Sequence, residues 1–456
     1  MHRSLLLTIS IVLLLTLAIA SCSILGHKEK PPAMPVKLLH TGTMDLTAGI
    51  ALNAMVKTPP GFAPIAGEPP LWLQGEKEIA LVGTLDGRTQ VLGYSGGGYK
   101  KMRLVAADGG PGAPHGKIVG LAASPDGMTL AVAEAEPGRI EIVLRYLISN
   151  GESSVASFDG SFHAVSLNWM APHTLAVGLA GEPTAPPSGS DSMRPGATDA
   201  GGSLAQAGGL FLIHVVGAVT VEQIKVACQV SMLVFSPDMR FAVGEGDAQT
   251  PPSLFDSRNG DCRQVTLEGP IRVLGWAPEN AAILYSAPPG RARGPGVYRY
   301  DIATGKTELI AISSGAAAYT GAGIIMALGN RALNAKTAMS APDRRVTAEI
   351  ASFDPKEKQS LVNTLGTPTT PSMMMASTMI YSHGFAELAL QLYVAGPDGP
   401  IREIVTYSII DRKAFVLASG PFRGTAVIGW SPHANQLVVF DGDGTTGALA
   451  IITPSR

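Results

Sequence analysis

Three groups of residues in this chain carry reactive or ligand-binding side chains in a suggestive arrangement. Arg291 and Arg293 lie in "SAPPGRARGPG", Arg344 and Arg345 in "SAPDRRV", and Arg402 in "AGPDGPIR"; Asp343 and Asp398 are the local acids beside them. Guanidinium groups donate paired hydrogen bonds to carboxylates and phosphates, so a shared patch would suit an acidic partner or lipid headgroups. Solvated loop charges are the plainer alternative. His115 and His163 stand at similar places in successive segments. Two imidazoles side by side could hold a metal or act as acid and base, although no carboxylate is evident as a third ligand. Asp126 in "SPDG" and Asp238 in "SPDM" invite a catalytic reading. An acid following Pro in a turn more simply accepts hydrogen bonds from backbone N–H groups two residues on.

Other signatures are missing. The sequence has no P-loop, no HExxH and no CxxC pair. "DGDGTTG" at Asp441 lacks the later acidic ligands of a calcium loop and reads as a turn. No cofactor is expected. The formal net charge of -2 gives no support for nucleic-acid binding, which needs a basic surface.

The elements that must position these residues recur along the chain. "LAASPDGMTLAVAE" returns as "LNWMAPHTLAVGLA", "LVFSPDMRFAVGEG", "LGWAPENAAILYSA" and "IGWSPHANQLVVFD". The turn prolines are Pro125, Pro172, Pro237, Pro278 and Pro432, so the gaps are 47, 65, 41 and 154. The gap of 65 contains a low-complexity insert at 181–208. The gap of 154 has room for two degenerate units, with turns expected near Gly329–Asn330 and His383–Gly384. One further unit precedes Pro125, at "LQGEKEIALVGT". Such a period signals a propeller or another repeat array. Each unit reads as four short strands with alternating apolar residues, as in "VYRYDIATGKTELI". With 53 Gly and 34 Pro the chain is also rich in turns. The expected fold is all-β: a β-propeller of eight four-stranded blades, or seven if one degenerate unit is only an excursion. The last unit, from Gly424, is one strand short, and residues 35–42, in "MPVKLLHTG", are expected to close it.

Two resemblances sharpen this. "SPDGMTLAVAE" and "WSPHANQLVVF" resemble the TolB-type, WD40-like repeats of bacterial exported proteins: an aromatic, then Ser-Pro-Asp-Gly, then an apolar strand. Trp169, Phe235, Trp276 and Trp430 fill the aromatic slot, whereas His173, Glu279 and His433 depart from the acid. The resemblance implies the propeller fold over most of 63–456. At the N-terminus, Arg3, an apolar run from Leu5 to Ala20 and "IASC" make an export signal whose end resembles the lipobox of bacterial lipoproteins. That resemblance implies removal of residues 1–21, lipidation of Cys22, a tether over 22–34 and a propeller over 35–456. Ser23 after the cysteine resembles the default for outer-membrane sorting in Gram-negative cells.

Strand order fixes which loops share an end. With strands a, b, c and d running inside to outside, the b-to-c loops and d-to-a links share one end, and the a-to-b turns and c-to-d hairpins the other. The arginines and the insert fall at the b-to-c end. Cys228 and Cys262, read as ending one d strand and beginning the next, fall at opposite ends, about 20 Å apart for a six-residue strand. A disulfide needs α-carbons within about 7 Å, so this layout opposes the bridge that an oxidising compartment favours.

The reading that follows is an envelope lipoprotein, held to a membrane through Cys22. Its propeller is a non-catalytic platform for another envelope protein, gripped at the b-to-c end. TolB, within its envelope complex, and the lipidated eight-bladed propeller of the outer-membrane barrel-assembly machinery are the two classes it resembles. The second shares architecture only. The alternative is a propeller enzyme, lactonase-, lyase- or glycosidase-like, with His115 and His163 at the channel mouth.

Overall fold

The computed structural model describes residues 45–454, apart from 47–50, 66–67, 96–101, 109–115, 183–203, 206–208, 225–231, 247–250, 267–268, 288–295, 313–315, 329, 332–348, 356–358, 365–373, 383–385, 397–398, 422–424 and 444. The expected Cys22, signal segment and tether, and His115, Arg291, Arg293, Arg344 and Arg345, lie outside the described residues.

Eight antiparallel sheets follow one another in chain order, each read from the inner strand outward. Blade 2 is Lys117–Ala123, Thr129–Glu136, Arg139–Tyr146 and Gly151–Asp159. Blade 7 has the longest ladder, through Met374–Ser382, Glu387–Gly396, Gly399–Ser408 and Lys413–Pro421. Blade 1 divides its inner strand between Ala63–Pro64 and Leu71–Leu73, both paired with Glu78–Leu85. One short 3-10 turn, Pro278–Asn280, joins the first two strands of blade 5. The architecture is an eight-bladed β-propeller.

The period-2 pattern explains why the blades stack. In the second strand of blade 2, Ala131 and Ala133 pack towards blade 3, while Leu130 and Val132 pack towards blade 1. In blade 8, Leu437 and Val439 join the core with blade 7, and Val438 and Phe440 the core with blade 1. Alternation therefore feeds both faces of each sheet. The result is eight apolar clusters, one at each blade-to-blade interface, with the eighth closing the ring.

An N-terminal strand does close blade 8, but it is Ala51–Lys57, not residues 35–42. It pairs with Gly447–Thr453 from Ala51↔Thr453 to Lys57↔Ala448. Val56 is buried in the seam core, and Leu52 packs against the core shared with blade 7. "ALNAMVK" is more apolar on alternate positions than it looks, because Asn53 is absorbed by a bulge between Leu52 and Ala54. Asn53 Nδ2 also donates to Thr453 Oγ1 at 2.7 Å. Upstream, Asp45–Leu46 pairs with the outer strand of blade 7.

The turn signature has a clear physical role. Ser124 Oγ donates to Asp126 Oδ1 at 2.5 Å and accepts from Thr129 N–H at 2.9 Å. Asp126 Oδ1 also accepts from Met128 N–H at 3.0 Å. In blade 4, Ser236, Asp238, Arg240 and Phe241 repeat the arrangement at 2.7, 3.0 and 2.9 Å. These bonds hold both carboxyls below the usual aspartate range, against a smaller burial effect at Asp126 and a leading one at Asp238. The acids are turn clamps. Gly127 has φ +67, and a Cβ there would stand 2.8 Å from Gln74 N of the neighbouring turn. The aromatic slot ties inner strands together: Trp169 Nε1 donates to Ala122 O at 3.1 Å, and Trp430 Nε1 to Ile380 O at 3.2 Å.

The two degenerate units are blades 6 and 7. The a-to-b connection of blade 7 spans His383–Gly384 as expected. That of blade 6 does not sit at Gly329–Asn330. It lies between Ala317–Tyr319 and Ile325–Leu328, where Thr320 Oγ1 accepts from Ile324 N–H at 3.1 Å. Asn330–Arg331 instead pairs with the outer strand of blade 5. The insert in blade 3 behaves likewise: its Leu204–Ala205 adds a parallel strand outside Phe158–Asp159 of blade 2.

The layout that opposed a disulfide is also corrected, because Cys262 is disulfide-bonded, with its partner outside the described residues. Cys228 itself lies outside the described residues. Among the described residues, no further strand pairs with Cys262–Gln264, the outermost strand of blade 4.

Candidate functional site

Arg402 departs from its expected place. The b-to-c connection of blade 7 is only 397–398, and Arg402 lies inside the third strand, 1% exposed. Its Nη1 donates to Asp441 Oδ1 of blade 8 at 3.1 Å. A long side chain in this interface needs a carboxylate there, since a buried charge without one is costly. Arg402 therefore stitches two blades and presents no charge to a partner. Asp443 of the same "DGDGTTG" run accepts from the Thr445 hydroxyl at 2.6 Å, Thr446 N–H at 2.7 Å and Thr445 N–H at 2.8 Å, which brings its pKa down to about 2. The run is a turn, as read from the sequence.

Two openings stand out among the described residues. The first is a groove of about 790 Å³ at the a-to-b end, between blades 4 and 5. Arg240, Asp256, Asp261, Cys262, Arg263, Glu279 and Asp301 contribute its polar lining. Most of these groups are already engaged. Arg240 lies 4.6 Å over the Phe241 ring and pairs with Asp256 at 3.5 Å. Arg263 lies 5.6 Å over Tyr300 and donates to the Ile302 carbonyl. Asp301 pairs with Arg299 at 3.3 Å and caps Thr304 N–H at 2.9 Å. Arg263 thereby ties blade 4 to blade 5, and the other two pairs lie within one blade.

The second is the channel mouth at the other end, where the inner strands begin. Inner-strand side chains have a neighbouring blade on each face and a second strand outside, so exposure here means facing the channel or its rim. Lys117 and Val119 of blade 2, Ser161 and His163 of blade 3, and Arg272 of blade 5 are exposed, as is Met232 just before the inner strand of blade 4. β-Bulges interrupt these strands between Ile118 and Gly120, Phe162 and Ala164, and Val273 and Gly275. A bulge leaves one residue unpaired and re-aims its side chain, here Val119, His163 and Leu274. His163 thus lies inside the inner strand of blade 3, near its start, and not before it. Among the described residues no cluster of three or more metal-ligating side chains occurs.

Carboxylates from the preceding blade fasten two of these strands. Asp108 accepts from Thr89 N–H at 2.6 Å and from Ile118 N–H at 2.7 Å. Glu245 accepts from Val273 N–H at 2.6 Å, and burial pushes its pKa up despite that bond and the nearby Arg272. Sequence reasoning missed both. Their signal is an acid just past a strand of one unit, the last in blade 1 and the second in blade 4, with its partner N–H in the next unit, which no local motif reveals.

No protein-family model matches the chain, and no curated protein matches it in sequence. Among solved structures, it is similar to Sqt1 of Saccharomyces cerevisiae, at 11% identity and TM-score 0.48, over 91% of this chain and 99% of that one. It is similar to a prolyl endopeptidase at 15% identity and TM-score 0.46, over 84% and 55%. It is similar to TolB from Acinetobacter baumannii at 13% identity and TM-score 0.35, over 77% and 65%. These likenesses concern the fold alone, and the propeller assignment rests on the strand pairing above.

Proposed function

We propose that this chain is a lipid-anchored envelope protein whose propeller is a non-catalytic docking platform, with the b-to-c end as the partner face. The observation that carries the reading is an asymmetry in loop length. The b-to-c connections are 183–208, 245–252, 288–295 and 329–348 in blades 3 to 6, but 86–87, 137–138, 397–398 and 443–446 elsewhere. At the other end every a-to-b turn is short, the longest being 431–436. Long loops on a rigid scaffold are the usual place for binding. The disulfide at Cys262 supports an oxidising compartment. With Cys22 lipidated, Cys228 is its partner.

The test is charge reversal at Arg291, Arg293, Arg344 and Arg345, followed by crosslinking and capture from the native membrane. Loss of a specific crosslinked partner with an unchanged thermal transition supports the platform. An unchanged crosslinking pattern refutes the choice of face.

A further inference from the structure

We propose that the channel mouth at the b-to-c end receives an acidic polypeptide segment of the partner, held by Lys117 and Arg272 across an apolar floor of Val119 and Met232. This rests on the platform reading and specifies its chemistry. All four side chains are exposed, with Val119 at 38% and Met232 at 48%. Lys117 pairs in register with Ala135, and Arg272 with Ser286, so both stand at the start of an inner strand and at the same end of the ring.

Two carboxylates are fixed beside these cations: Asp108 and Glu245 accept backbone N–H groups of Ile118 and Val273, the residues directly after Lys117 and Arg272. Both are held on the strand and form no direct ion pair with Lys117 or Arg272 among the described residues. Arg272 also interacts with the Glu245 carboxylate. Between the two cations, around blades 3 and 4, the rim offers Ser161, His163 and Met232 and no exposed acid among its described inner-strand residues. Val119 and Met232 are large apolar groups held in water, which a peptide side chain would cover. An acidic strand with alternating apolar residues matches both features; a nucleic acid or a bare anion matches only the charge.

The test uses the full-length lipidated protein in detergent. A labelled short peptide of alternating aspartate and leucine is titrated by fluorescence anisotropy, beside its lysine–leucine counterpart. The acidic peptide should bind saturably and more weakly as salt rises, and the basic peptide should not bind. Lys117→Glu with Arg272→Glu should weaken binding about tenfold or more, because exposed opposite charges steer and hold a ligand within roughly 10 Å. Arg412→Glu, an exposed arginine on the c-to-d hairpin of blade 7, makes a like change at the other end and should leave binding unchanged. Matched thermal transitions would show that the variants fold. Equal loss in Arg412→Glu, equal binding of both peptides, or binding of anionic phosphatidylglycerol vesicles that the peptide does not compete with would each overturn the proposal. If the acidic peptide fails to bind while a protein still crosslinks to the b-to-c loops, this inference fails and the platform reading stands.

Discussion

Replacing Arg402 with alanine separates a structural arginine from a partner-binding one. Its guanidinium is 1% exposed and its partner carboxylate, Asp441, 8% exposed, with 3.1 Å between Nη1 and Oδ1. Removing the arginine takes the guanidinium away from Asp441, which stays buried. Truncating one member of a buried pair costs about 3–5 kcal/mol, mainly because the other charge is stranded. Replacing both by apolar residues of similar volume is near neutral or stabilising by about 1–4 kcal/mol. Arg402→Ala should therefore lower the urea midpoint strongly, and Arg402→Met with Asp441→Leu should restore it. The assay is equilibrium unfolding followed by tryptophan fluorescence, with Trp430 reporting on the same blade. A single variant costing under about 1 kcal/mol, or a double variant no better than the single, would refute the reasoning.

Four further outcomes are expected. Deleting residues 35–42 should leave the thermal transition unchanged, whereas Val56→Ala should lower stability by about 1.5–3 kcal/mol, because it removes two buried methyl groups at the ring closure. Asp126 and Asp238 have depressed pKa values when folded, so the stability they add is present above the unfolded aspartate range and is lost as pH falls below about 4. Asp126→Asn with Asp238→Asn should flatten that acid limb in melts taken across pH. Reduction, or Cys262→Ser, should lower stability by about 2–5 kcal/mol, and non-reducing peptide mapping should find the bridge. Cys22→Ala should abolish fatty-acid labelling and leave the signal segment uncleaved.

The fold was legible because its signals are local and repeated. Pro-Asp turns on a steady beat, with alternating apolar strands, report blades directly. Blade 6 was misplaced because its turn lacks the proline; "YTGAGII" keeps the aromatic-Thr pair, Tyr319–Thr320, which marks the unit once the other blades are known. The closing strand was misread because "ALNAMVK" hides its alternation behind a bulge at Asn53. Arg402 was read as a loop residue because "PDGP" resembles a long excursion, yet it is a tight hairpin between two ten-residue strands. The rim at Lys117 and Arg272 was not legible at all. Their exposure depends on how neighbouring blades pack around the inner strands, a property of ring closure and not of any short stretch.

The central claim is that partners dock on the b-to-c end. The most direct measurement is a crosslinking map in the native membrane, with photoreactive residues placed singly at Met232 and Val119 on the rim and at Ile148, Val216 and Ile410 on the exposed c-to-d hairpins. The account predicts a specific partner crosslinked at Met232 and Val119, lost on charge reversal at Arg291, Arg293, Arg344 and Arg345. Partner contacts confined to Ile148, Val216 and Ile410 would contradict it.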